Sequence, residues 1–201
     1  MSMGFVKSAY IKENFGGNKM FKKLKDKKGF TLVELIVVLV IMAILAAALV
    51  PTLIGYIRQT RQSNAKNEAA SAVSAAQTVA SSAFASPDYT YVNNSTGKSV
   101  DGVSLANVKL TVPASGTELD VDSSTALIAD VVYLSELTDR QNSTKGTGVT
   151  TIKYNTDYVV TDLAYNDGTT YVYYYKPASG AAKYGVGSTA AAAQTDAGKS
   201  A

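Results

Sequence analysis

A single carboxylate, Glu34, stands in a part of the chain where a charge is costly. It is the only charged residue between Phe30 and Ile57, and the rest of that stretch is almost wholly apolar. Moving a carboxylate into hydrocarbon costs about 2–3 kcal/mol on insertion scales unless a cation neutralises it. We therefore expect Glu34 to have a cationic partner.

The composition includes few of the residue types that usually catalyse reactions. The 201 residues contain no Cys, no His and no Trp, which excludes thiol nucleophiles, Cys or His zinc sites and a Ser-His-Asp triad. A Gly-rich phosphate loop is also missing. We expect no catalytic residues, no cofactor and no metal, although the alternating acids Glu118, Asp120 and Asp122 fit either a calcium site or a solvated acidic edge.

Charge divides the chain in two. The residues up to Gly29 carry eight Lys and two acids, a net charge of +6, so the remainder carries −3 of the total of +3. A negatively charged remainder does not favour nucleic-acid binding, because phosphate recognition needs basic residues on the folded surface. Residues 1–29 read as a basic leader, and the lysines from Lys22 to Lys28 favour the cytoplasmic side of a membrane.

The apolar stretch predicts the first half of one long helix. Residues 30–57 have the length of a membrane span, and residues 58–84 continue as an amphipathic half. Such a helix is roughly 80 Å long, more than a domain of this size needs. Pro51 and Gly55 predict a kink. The apolar positions of the second half recur at steps of three and four: Ala65, Ala69, Ala72, Ala76, Val79 and Ala83.

Residues 85–184 predict a globular α+β head. One strand is expected over Val103–Val112 and a short helix over Ser124–Leu137. Three Val-, Thr- and Tyr-rich runs with turn residues between them predict an antiparallel meander: Val149–Tyr154, Tyr158–Tyr165 and Thr169–Lys176. We expect a long helix with a protruding apolar half, packed on about four strands, and a flexible tail over 185–201.

Tyrosines are concentrated in the last of these runs. Tyr171, Tyr173, Tyr174 and Tyr175 fit strand packing first and a ligand-binding stripe second. The Ser and Thr clusters of the head fit plain loops or glycosylation sites.

The segment Lys27-Lys28-Gly29-Phe30-Thr31-Leu32-Val33-Glu34 resembles the cleavage signature of type IV prepilins. The resemblance implies that a membrane-embedded prepilin peptidase cuts between Gly29 and Phe30 and methylates the new Phe30 amine. A glycine suits this position because it lets the peptide enter a protease in extended form. The amine stays cationic, so the Phe30 terminus of a neighbouring subunit can pair with Glu34 and set the axial register of a filament. We expect Glu34→Ala to be cut and inserted but not assembled.

A structural subunit of a type IV pilus is the function that this resemblance implies. The precursor would be a single-pass protein of the cytoplasmic membrane with its head outside, and the mature chain would form an extracellular filament with copies of itself. An assembly ATPase and a platform protein are implied partners. A major pilin is the first expectation, followed by a minor pilin, then a pseudopilin of secretion or competence. Adhesion, twitching motility, biofilm formation and DNA uptake all fit such a filament.

Several alternatives accompany this interpretation. A secretory signal peptide would be cut near Ala46-Ala47-Ala48, and a membrane-anchored binding module would never polymerise. Thr31 and Glu34 also fit a capping box, which does not conflict with charge pairing. Translation from Met1, Met3 or Met20 is compatible with the signature, and Met20 would leave a shorter leader.

Overall fold

The computed structural model describes residues 29–95, 97–110, 119–120 and 125–199 of the chain. The predicted leader, residues 1–29, therefore lies outside the described residues except for Gly29. The chain divides into two compact units, Met1–Thr52 and Leu53–Ala201.

Helix α1 spans Leu32–Ala85 and confirms the prediction of one long helix. It ends where Ser86 donates a backbone hydrogen bond to Ala83 and Pro87 follows, because a proline has no N–H with which to continue the ladder. The chain is helical on both sides of Pro51 and Gly55, and the kink predicted there stays a prediction.

Within the described residues, the remaining elements are short strands, one meander, two short α-helices and one 3-10 helix. Helix α2 is Thr125–Leu134, α3 is Ala190–Asp196, and a 3-10 helix covers Ser143–Lys145. The strands are β1 Thr90–Tyr91, β2 Ser99–Val100, β3 Val103–Ser104, β4 Val108–Lys109, β5 Leu119–Asp120, β6 Gly148–Tyr154, β7 Val160–Asn166, β8 Tyr171–Tyr175 and β9 Lys183–Gly187. Strand β1 pairs with β4 and β2 with β3, while the main sheet has the order β5-β6-β7-β8-β9, all antiparallel.

The α+β class, the short helix and the antiparallel meander are confirmed. Two details differ from the sequence prediction. The run Val103–Val112 is not one strand, since β3 and β4 are separate two-residue strands that pair elsewhere and residues 111–112 lie outside the described part. The main sheet has five strands instead of about four, because β5 and β9 flank the predicted meander.

The core of the head lies between the second half of α1 and the sheet. Every predicted stripe residue of α1, from Ala65 to Ala83, is fully buried. The small side chains let tyrosines of the sheet reach the helix. The Tyr154 hydroxyl donates to the carbonyl oxygen of Ala76 (3.1 Å), and the Tyr165 hydroxyl donates to Glu68 (2.6 Å). Burial and these hydrogen bonds together hold the helix on the sheet.

The C-terminal segment is folded over residues 185–199, so the prediction of a flexible tail over 185–201 is wrong for this part, and residues 200–201 lie outside the described residues. Strand β9 completes the sheet, and α3 packs on it with Ala193 and Ala197 buried. The contact depends on glycine, because a Cβ atom at Gly185 would lie 2.0 Å from the Ala193 carbonyl oxygen. Lys199 then forms an ion pair with Asp162, which is fully buried in β7.

Candidate functional site

The junction of leader and helix is held in a defined local geometry. Thr31 precedes the first helical residue, and its backbone N–H and its hydroxyl both donate to Oε2 of Glu34, at 2.8 and 2.9 Å. In return the Glu34 N–H donates to the Thr31 hydroxyl oxygen (3.2 Å). This is the reciprocal capping box that the sequence allowed, and it satisfies donors that the first helical turn would otherwise leave unpaired.

The bond between Gly29 and Phe30 is open to an approaching partner. Both residues are non-helical, and Phe30 exposes 87% of its surface. A Cβ atom built on Gly29 would meet nothing within 4 Å. Within the described part of the chain, packing therefore gives no reason for a glycine at position 29. A requirement for glycine there has to come from a molecule that binds this segment.

Glu34 has one carboxylate oxygen available. Its Oε2 atom is used by Thr31, whereas no hydrogen bond or ion pair to Oε1 is present among the described residues. The predicted partner, the Phe30 amine of another copy, is formed only by cleavage. The geometry holds the carboxylate at the start of α1 and leaves one oxygen for a further donor.

The first half of α1 is uncovered. Every residue from 29 to 64 is exposed, although the sequence from Leu35 to Val50 carries no charge. One helix of the described chain, α1, is long and apolar enough to cross a membrane, a statement that concerns length and composition only. The large apolar side chains need a cover that the described chain itself does not supply.

The other candidate residues are the alternating acids around β5 and the tyrosines of β8. Glu118 and Asp122 lie outside the described residues, and Asp120 pairs in β5 with Lys153 of β6, so the calcium hypothesis stays open. In the Tyr-rich strand β8, Tyr173 and Tyr174 are buried. The Tyr173 hydroxyl donates to Asp162 (2.7 Å), which supports strand packing as their role.

Sequence reasoning missed the polar residues that fasten the head. The Gln77 side chain of α1 donates to the Tyr158 carbonyl oxygen and accepts from the Val160 N–H, both at 3.0 Å. These two hydrogen bonds hold the start of β7 against α1. Asp162 and Lys199 are a second such pair. No signal in the sequence marks these residues, since each looks like an ordinary surface side chain.

Comparison with known families identifies the N-terminal segment. Residues 24–50 match the family model described as the prokaryotic N-terminal methylation motif. The match includes Gly29, Phe30 and Glu34. No curated protein and no solved structure matches the chain significantly. The chain therefore carries a type IV prepilin signal at its N-terminus, attached to a long apolar helix, as its sequence predicted.

Proposed function

We propose that this chain is a type IV pilin. The peptidase cuts it after Gly29 and methylates Phe30, the membrane holds it by the first half of α1, and copies of it then polymerise into an extracellular filament. One observation carries the proposal: a prepilin signal lies at the start of a helix whose apolar half is exposed along its whole length. Lipid covers that half in the precursor, and neighbouring helices cover it in the filament.

Pairing between subunits follows from the geometry of Glu34. The capping box uses Oε2 and leaves Oε1 for the methylated amine of a neighbouring Phe30. Two opposite charges in a low-dielectric filament core attract strongly only at one axial offset. The pair thus selects the register in which a new subunit enters.

The partners of this cycle are a prepilin peptidase, an assembly ATPase, a platform membrane protein and further copies of the chain. We propose a structural role without catalytic activity and favour a major pilin. The precursor resides in the cytoplasmic membrane with the head outside, and the filament lies on the cell surface.

Mass spectrometry of the native protein tests the processing step. The mature chain should begin with a methylated Phe30. Gly29→Val should block cleavage, because a peptidase site that fits a residue without a side chain has no room for a branched one, while Gly17→Val in the same leader should not. A mature chain that keeps its leader, or that begins near Leu49, contradicts the proposal.

Two variants separate charge pairing from helix capping. Glu34→Gln keeps an acceptor for the capping box but removes the charge, whereas Thr31→Ala keeps the charge and removes the hydroxyl of the box. We expect Glu34→Gln cells to process and insert the protein yet show no filaments by electron microscopy, and Thr31→Ala cells to show them. Filaments in normal number from Glu34→Gln would refute the pairing.

A further inference from the structure

A basic cleft lies where the surface of α1 changes from apolar to polar. It has a volume of about 300 Å³. We call it the arginine cleft; its lining includes Arg58, Arg61 and Gln62 of α1, Thr169 and Thr170 of the turn between β7 and β8, and Ser188 after β9. All of these residues belong to the second unit of the chain.

The arginine cleft has positive charge to offer. Arg58 and Arg61 are three residues apart and therefore lie on one face of the helix. Among the described residues, neither guanidinium group has an ion-pair partner. The acid of the neighbouring turn, Asp167, is already engaged, because its Oδ1 atom accepts from the backbone N–H groups of Thr169 and Thr170.

The donors that remain suit a phosphate group. The Thr169 hydroxyl is also bonded to Asp167 (2.9 Å), so it is not counted among them. The residues that line this space include two arginines, Gln62 and Ser188, whose side chains carry guanidinium, amide and hydroxyl donors. Guanidinium is planar and weakly hydrated and matches phosphate oxygens in pairs, which makes two adjacent arginines a phosphate site rather than a general cationic patch.

The neighbouring turn of α1 indicates where such a phosphate comes from. Immediately before Arg58, the side chains of Leu53, Ile54, Tyr56 and Ile57 are all exposed. An exposed apolar turn, a tyrosine and then arginines are the order in which a membrane helix leaves hydrocarbon and enters the headgroup layer. The turn of β7–β8 and the end of β9 meet the helix at that level.

From this arrangement we infer that the arginine cleft binds the phosphate of a lipid headgroup on the outer surface of the membrane. The contact seats the head of the anchored precursor on the bilayer. Extraction into a filament has to break it. The inference rests on membrane anchoring as proposed above and does not depend on polymerisation.

Hydrogen exchange of the full chain tests the contact. The protein is placed in vesicles of phosphatidylcholine and phosphatidylglycerol at 3:1 and, separately, in a non-ionic detergent without phosphate. Amides of residues 58–62 and 167–170 should exchange more slowly in the vesicles. Because one basic residue near an anionic surface changes binding roughly fivefold, Arg58→Gln with Arg61→Gln should weaken this protection by roughly 30-fold.

A matched double variant serves as control. Lys66→Gln with Lys145→Gln removes the same charge from exposed positions outside the cleft and should leave the protection unchanged. Equal exchange in vesicles and detergent overturns the inference, as does equal loss in both double variants, which indicates diffuse attraction. Protection by millimolar inorganic phosphate in detergent, without an effect of vesicles, also overturns it and indicates a site for free anions. Flotation of the protein with the vesicles measures membrane anchoring independently of protection at the arginine cleft.

Discussion

The two halves of α1 reverse the usual relation between side-chain size and burial. In the first half, from Leu35 to Ile57, the large apolar residues expose 42–68% of their surface. In the second half, the alanines from Ala65 to Ala83 expose 0–7%. Large apolar residues are normally worth about 1.5–3 kcal/mol each when buried, so a helix that leaves them outside has a surface adapted to another medium.

The difference teaches that helix formation and burial are separate properties of a sequence. Both halves are helical, although the first is rich in Val and Ile and contains Pro51 and Gly55. The alanine half is buried because its small side chains allow Tyr154 and Tyr165 of the sheet to reach its backbone and polar groups. The first half has bulky side chains and no element of the described chain against it, which suits lipid or other helices of the same kind.

A glutamate introduced into each half of α1 should have the largest effect. It should destabilise the head in the buried half and weaken membrane insertion in the exposed half. Ala76→Glu buries an unpaired carboxylate and should lower the free energy of unfolding by about 3–5 kcal/mol. Ala47→Glu should leave unfolding of the head unchanged and instead weaken membrane insertion, by about 2.5–3.5 kcal/mol. Urea unfolding in non-ionic detergent and a membrane-insertion assay measure the two quantities. Destabilisation of the head by Ala47→Glu would show that the first half of α1 also contributes to the stability of the head.

The packed region extends to Lys199, the last residue that the structure describes. Asp162 is fully buried and Lys199 is its cationic partner, with 22% of that side chain exposed. Lys199→Met should leave the carboxylate unpaired and destabilise the head by about 2–3 kcal/mol, less than for a fully buried pair because water reaches the site. Thermal unfolding measures the change. Lys176→Met, at an exposed position, is the control, and addition of Asp162→Asn should recover part of the loss.

Glycine to alanine changes sharpen the contrast between open and packed surfaces. At Gly185 a methyl group would meet the Ala193 carbonyl oxygen and the Ala197 nitrogen, so Gly185→Ala should displace α3 and cost about 2 kcal/mol. At Gly55 it would meet nothing within 4 Å, and Gly55→Ala should stabilise the helix by about 0.5–1 kcal/mol. Chemical denaturation of both variants checks this pair. Changes of the same sign would show that the two positions do not differ in packing.

A further expected effect is a pH dependence of the stability of the head. Asp130 of α2 is fully buried, and burial raises its pKa to about 6. The folded state then binds a proton more tightly than the unfolded state, so stability should fall as pH rises from about 4 to about 6 and stay lower above that. Asp130→Asn should remove this slope and stabilise the head at pH 7.

Unfolding at pH 4, 5, 6 and 7 measures the slope. The Asn93 side chain, which donates to Oδ1 of Asp130, can also donate to an amide oxygen. An unchanged slope in Asp130→Asn would assign the effect to another group. Residues 35–57 contain no acidic or basic side chain and should contribute nothing to this slope.

Features that depend on nearby residues were predictable. The prepilin signal, the capping box and the alanine stripe are patterns within a few turns of one helix. The meander follows from alternation of strand and turn residues, and its three strands lie within a few residues of their predicted bounds. The candidate cleavage site could likewise be recognised, because it is linear and needs no other element to assemble it.

Features that depend on contacts between residues far apart in the chain could not be predicted from the sequence. The C-terminal segment is rich in Ala, Gly and Ser, which suggests that it has little apolar surface to bury. Its glycines nevertheless allow α3 to approach β9 so closely that small alanine side chains fill the contact. Strand β5 has two residues and no pattern of its own. The bridging role of Gln77 exists only because β7 starts beside it.

The long helix, its apolar half, the processing signal and the class of the head could be predicted from sequence, because periodicity and motifs are properties of residues close together in the chain. Only the tertiary structure decided the five-stranded sheet, the folded C-terminus, the Asp162–Lys199 pair and the arginine cleft. The physical reason is that close packing and charge pairing depend on distances between residues far apart in the chain, and no local pattern records those distances.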